Sequence, residues 1–249
     1  MPERHRRPIR RHVHLVAALA GLAAATITGC GSGEAPSTGA GADPYVVAAL
    51  GDSITAGNPA YDPDPGQRAS LGFGSDERSQ YEYWAERAGK RKGGQTPLTF
   101  RNCGVFGERT DEVAQRLNGC VEGAQALVVQ GGINDIAQGR PVAQAAADLD
   151  SMVARGKRAG LDVYLVDVLP WNNGHPAADA PIAKLNRLIA EIGARQDVPV
   201  IGFHDALEQP PGSGLMGPRL TADGDHPSIA GYRLLGDLVA SKLAALGPG

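Results

Sequence analysis

Apolar residues fall along this chain in five short runs: "YVVAAL" (45–50), "LTFRNCGV" (98–105), "ALVVQGG" (126–132), "DVYLVDVLP" (162–170) and "VPVIGFH" (198–204). Glycine or proline bounds each run, and several lack polar alternation, which is how strands covered on both faces read. Between them lie helical patterns: "SQYEYWAERAGKR" (79–91), "RTDEVAQRLNG" (109–119), "PVAQAAADLDSMVARGKRAG" (141–160) and "APIAKLNRLIAEIGARQ" (180–196), with "SIAGYRLLGDLVASKLAAL" (228–246) closing the chain. Strands alternating with helices predict a three-layer α/β/α domain around a mostly parallel five-stranded sheet. No internal repeat is visible, so residues 45–249 read as one domain.

Ligands of such a sheet bind beyond the carboxyl ends of its strands. That selects Asp52 and Ser53 after the first run, Gly104 and Gly107 after the second, and Asn134 and Asp135 after the third. The irregular stretch 58–80 exceeds an ordinary connection and suggests a substrate-shaping loop or lid. Its "YDPDPG" reads as a solvated turn, because a third calcium ligand at a defined spacing is missing. No metal or cofactor site is expected.

Charge is distributed unevenly. Residues 1–29 hold five Arg and one Glu, leaving 19 basic and 26 acidic residues and a net charge of −7 for the remainder, which argues against a nucleic-acid partner. The basic head "MPERHRRPIRRH" is followed by the apolar run "VHLVAALAGLAAATITG", in the order of a secretory signal. The run is shorter than a bilayer-spanning helix requires and ends in small residues. Its last residues with the next cysteine, "ITGC", resemble the lipobox of bacterial lipoproteins, which implies cleavage before Cys30 and lipidation of Cys30. The paired Arg10 and Arg11 fit the twin-arginine export pattern. Residues 30–44 are rich in Gly, Ser, Ala and Pro and read as a flexible tether. The expected location is the bacterial cell envelope, with a monomer lipid-anchored to the outer face of the membrane. Beyond Cys30 only Cys103 and Cys120 remain, an even number in an oxidising compartment, so a bridge is possible. A helix returning to the other edge of the sheet would instead carry Cys120 too far from Cys103, leaving two buried thiols.

A serine hydroxyl attacks poorly until a base takes its proton, and the base works best when a carboxylate orients it. Beyond the signal the chain has three histidines, His175, His204 and His226. His226 stands in "TADGDHPSIAGY", three residues after Asp223, whose side chain can curl back to accept from the ring Nδ1–H. The adjacent Asp225 points away in most backbone conformations. Alternatively His226 caps the closing helix. His204, in "FHDAL", sits at a strand end and reads as surface packing. Gly107 lies in a glycine-marked turn that can expose a backbone N–H, and Asn134 offers a side-chain amide; both could serve an oxyanion. Taken singly, "GxxG" reads as a tight turn and "GGIND" as a helix cap.

Together "GDSITAG", "NCGVFGERT", "GGINDIAQG" and "DGDHPSIAGY" resemble, in order and content, the four signature blocks of the SGNH hydrolases, also called the GDSL esterase/lipase family. The resemblance runs through residues 45–246. It implies a flavodoxin-like sheet carrying ester hydrolysis: Ser53 as nucleophile and oxyanion N–H donor, Gly107 as a second N–H donor, Asn134 as the side-chain donor, and Asp223 with His226 completing the triad. Phe106 departs from the pattern, standing where members often carry a small or polar residue, and bears on pocket width. The substrate implied is an ester, an acylated carbohydrate or a lipid; Trp171 in "LPWNNGH" is either a carbohydrate platform or packing. Two other readings stay open: an acyltransferase of envelope sugars on the same site, and a tethered binding lipoprotein without chemistry.

Overall fold

Seven residues, Tyr45–Gly51, form strand β1, and all but Val46 are buried. A strand this enclosed needs neighbours on both edges and helices on both faces. The computed structural model describes residues 43–57, 77–91 and 97–246, which fall in one compact unit. The signal, Cys30, the tether up to residue 42 and the "YDPDPG" loop lie outside the described residues.

Strands β2 (Leu98–Gly104), β3 (Ala126–Val129), β4 (Asp162–Val166) and β5 (Val200–Ile201) complete a five-stranded sheet, ordered β2-β1-β3-β4-β5 and parallel throughout. The three-layer α/β/α expectation therefore holds. β2, at the edge, exposes Thr99 and Arg101, whereas all four residues of β3 are buried. The fifth run yields a strand of two residues only. Beyond it Asp167 Oδ1 accepts from His204 N at 2.9 Å and the chain coils into a short helix, Phe203–Leu207, so His204 is helical rather than at a strand end.

One face of the sheet carries α3 (Thr110–Cys120), α5 (Val142–Arg158) and α6 (Asp179–Gln196), with Leu50, Leu127, Leu165, Met152 and Ile189 in the core between them. The other carries α2 (Tyr81–Arg91) and α8 (Ile229–Leu246), whose Tyr81 and Tyr232 share a core with Val47, Ala49 and Val128 of the sheet. The remaining helices are short: α1 (Ser53–Ala56), α4 (Ile133–Ala137) and α7, the Phe203–Leu207 segment.

The strand order puts β2 and β3 on opposite sides of β1. The chain thus reverses its direction of winding at β1, and the carboxyl end of β1 is the switch point beside which such sheets place their ligands. Gly104 pairs with Gly51 there, and a Cβ on Gly104 would stand 2.0 Å from Ala56 N, so only glycine lets α1 lie across the end of β2.

Cys103 and Cys120 are joined by a disulfide, their Cα atoms 6.0 Å apart. The distance argument against a bridge fails because α3 folds back along the strand it leaves. Arg101 Nη1, on β2, donates to Cys120 O at 2.8 Å, which fixes the end of α3 beside β2 instead of at the far edge.

Candidate active site

Ser53 begins α1 directly after β1 and is 7% exposed. Its turn is held by both flanking strands. Gln130, at the end of β3, accepts through Oε1 from Asp52 N at 3.1 Å and from Thr55 Oγ1 at 2.9 Å; Asn102 Nδ2, on β2, donates to Thr55 O at 2.7 Å. Asp52 Oδ1 accepts from Ile54 N at 2.9 Å, the N-cap bond of α1. Its Oδ2 is buried with no hydrogen-bond partner among the described residues. Burial raises the Asp52 carboxyl to about 6, against the opposing pull of the Ile54 N–H, Gln130 and His226.

His226 reaches the serine from a knotted turn. Thr221 Oγ1 accepts from Gly224 N at 2.8 Å and donates to His226 O at 3.0 Å, while Ala222 N donates to the same carbonyl at 2.9 Å. Within this turn Asp223 Oδ1 accepts from His226 N at 2.7 Å and Asp225 N at 2.9 Å. Asp223 Oδ2 lies 3.0 Å from His226 Nδ1, and His226 Nε2 lies 3.1 Å from Ser53 Oγ. Burial alone would raise the Asp223 carboxyl, but the two backbone N–H groups and the imidazole hold it below its ordinary value. An ionised carboxylate only accepts, so Nδ1 carries the ring proton and Nε2 is free to accept from the serine hydroxyl. The helix-cap alternative for His226 falls: Ser228 Oγ accepts from Gly231 N at 3.2 Å and caps α8.

Asp225 does point away. Its Oδ1 accepts from Trp171 Nε1 at 2.7 Å and sits 3.0 Å from His175 Nε2, and the two rings stack with centroids 3.9 Å apart. Trp171 is half-buried against the core and gives one face to His175, so packing accounts for it. His204 stands apart from the site, beside Asp167 and Asp205.

Gly107 has φ +78°, a left-handed conformation that favours glycine, and no described atom accepts from its N–H or from that of Ser53. Asn134 lies inside α4, not at its start. Gly132 is the N-cap, at φ +118°, and no side chain caps the helix, so the capping reading of Asn134 falls. Asn134 Nδ2 donates to Glu108 O at 3.0 Å, which fixes the amide and leaves its second N–H. Gln138 Nε2, one turn on, donates to Gly107 O at 2.9 Å. Asp135 instead ties α3 to α4: fully buried, it accepts from Thr110 N and Thr110 Oγ1, each at 2.9 Å, and from Arg140 Nη1 at 2.6 Å.

Sequence reasoning missed Gln130, Gln138 and Arg116, whose side chains brace this region. Gln130 alone left a trace, as the polar residue ending a wholly apolar run. Among the described residues no three His, Cys, Asp or Glu side chains stand together as a metal site.

The sequence matches the family model of the GDSL-like lipases/acylhydrolases over residues 49–234, a span that holds Ser53, Gly107, Asn134, Asp223 and His226. The chain belongs to this family. Solved GDSL-type structures share its fold. A lipase/acylhydrolase from Enterococcus faecalis is 26% identical with a TM-score of 0.64, the match covering 81% of this chain and 96% of that one. A GDSL-like lipase from Bacteroides thetaiotaomicron is 20% identical at TM-score 0.60, covering 82% and 89%. A psychrotrophic esterase from Pseudoalteromonas is 18% identical at TM-score 0.58, covering 81% and 98%. No curated protein sequence matches the chain significantly. Family membership makes this GDSL-like protein a hydrolase of the ester type.

Proposed function

We propose that the protein is a serine esterase that hydrolyses carboxylic esters through an acyl-enzyme on Ser53. The observation that carries this reading is the unbroken chain from Asp223 Oδ2 through His226 to Ser53 Oγ, with links of 3.0 and 3.1 Å. Ser53 Oγ attacks the ester carbonyl carbon while its proton passes to His226 Nε2, and Asp223 stabilises the imidazolium. The carbonyl oxygen, now an oxyanion, takes the N–H groups of Ser53 and Gly107 and the amide of Asn134. Collapse breaks the bond to the alkoxy oxygen, which leaves with the proton from Nε2. Water then attacks the acyl-enzyme by the same route, releasing the acid and restoring Ser53.

The test is turnover of p-nitrophenyl esters with acyl chains of two to sixteen carbons. Ser53→Ala should retain the fold by circular dichroism and lose nearly all activity; normal turnover by the folded variant would refute the assignment. The Pseudoalteromonas esterase structure is one inhibited by monoethylphosphonate. A phosphonate ester should add to Ser53 here, read as one covalent adduct by mass spectrometry. The sequence "ITGC" further supports anchoring through a lipid on Cys30.

A further inference from the structure

Arg116, in α3, projects a guanidinium that meets three separate segments. Nη1 donates to Cys103 O at 2.6 Å, at the end of β2. Nη2 donates to Gly51 O at 3.0 Å, at the end of β1 and two residues before Ser53. Nε donates to both oxygens of the Glu108 carboxylate, at 3.1 and 2.8 Å, and Nη2 to its Oε2 at 2.5 Å. Glu108 follows Gly107, and its own carbonyl is the one that accepts from Asn134 Nδ2. The two side chains are 28% and 19% exposed, so most of this pair lies out of water, where a fixed geometry is kept.

A planar fork of N–H donors dictates the relative positions of its acceptors, which an ammonium group does not. Nη2 holds the peptide leading into Ser53. Nε, together with Nη2, holds the side chain of Glu108, the residue that follows Gly107 and whose carbonyl is bonded to Asn134. From this we infer that Arg116 is a positioning residue for the oxyanion site: it fixes the spacing between the N–H of Ser53 and the donors of Gly107 and Asn134, without itself touching substrate. This inference rests on the esterase reading. A merely structural arginine would satisfy the same carbonyls, but its loss would lower stability without acting through the oxyanion donors.

The experiment compares Arg116→Gln, Asn134→Ala and the double variant, each as the full chain, with p-nitrophenyl acetate. Arg116→Gln should lower kcat about 10- to 100-fold with KM within about threefold of wild type, because misplaced donors are felt mainly in the transition state. In the Asn134→Ala background the same change should cost only a few-fold more, since a donor that it aligns is already gone. Arg116→Lys keeps the charge without the fork and should resemble Arg116→Gln; it takes that variant's place in the cycle if Arg116→Gln does not fold. Losses that multiply fully in the double variant, a loss confined to KM, or normal kcat in Arg116→Lys would overturn the inference. If wild type hydrolyses no ester from two to sixteen carbons, the esterase reading fails by itself, and amide hydrogen exchange then judges the positioning claim. Faster exchange confined to residues 104–109 in the variant upholds it, and exchange there at the wild-type rate overturns it.

Discussion

Asp52 holds a carboxyl group where water does not reach, next to the proposed nucleophile Ser53, and this has a consequence for stability. Its carboxyl titrates at about 6 in the folded protein against an ordinary 3.8. Below pH 3.8 both folded and unfolded chains carry the proton, and the group contributes nothing. Between 3.8 and about 6 the folded chain keeps a proton that the unfolded chain has lost, so stability falls as pH rises, and above about 6 the loss is complete. The gap corresponds to roughly 3 kcal/mol. Asp52→Asn keeps an oxygen for Ile54 N and removes the titration. Its stability relative to wild type should rise by up to about 3 kcal/mol from pH 4 to pH 7, measured by chemical denaturation; a constant difference would show that Asp52 is not buried as a charge. The two aspartates of the histidine turn should also separate. Asp223→Asn, which disturbs the ring tautomer, should lower kcat by orders of magnitude, as replacement of a triad carboxylate does. Asp225→Asn touches Trp171 and His175 instead and should change kcat less than about tenfold; the reverse ranking in steady-state kinetics would exchange their roles.

At the scale of elements, β2 and α3 are tied by the Arg101 bond to Cys120 O, by the Arg116 bond to Cys103 O and by the disulfide between Cys103 and Cys120. The bridge spans a sequence separation of 17 residues. Loop-closure entropy for a ring of that size is worth about 3 kcal/mol at 25 °C. Replacing both cysteines by serine should lower stability by about that amount, read as an earlier denaturation midpoint. The unreduced wild type and the double variant should differ, whereas wild type in strong reductant should approach the variant. Coincident midpoints in all three samples would mean that the ring does not form in solution.

For the molecule as a whole, the parallel sheet gathers the candidate site at one end. The carboxyl ends of β1, β2 and β3 deliver Ser53, Gly107 and Asn134 to neighbouring positions, and the turn before α8 adds His226. The proposed location is a separate matter and rests on residues outside that sheet. If Cys30 bears the lipid, Cys30→Ser should move the protein from the membrane fraction to the soluble or secreted one, followed by immunoblot of fractionated cells. An unchanged distribution would refute the anchor. Among the described residues no helix is long and apolar enough to cross a membrane.

The sequence by itself determined the alternation of buried strands and amphipathic helices, and with it the layering and the end of the sheet where a site can form. It also singled out Asp223 as the partner of His226, because three residues of a glycine-containing turn bring the two together without help from the rest of the fold. Contacts between distant segments were not legible. Whether Asn134 caps a helix or presents its amide depended on Gly132 taking the cap and on where the Glu108 carbonyl arrives, 26 residues away in sequence. The Cys103–Cys120 bridge depended on the path of α3, and Gln130 and Arg116 reach the turn before Ser53 across 78 and 65 residues. Local sequence sets backbone conformation and the period of burial, both of which are short-range. The meeting of side chains so far apart is set by strand order, register and helix direction, and these exist only once the whole sheet has assembled.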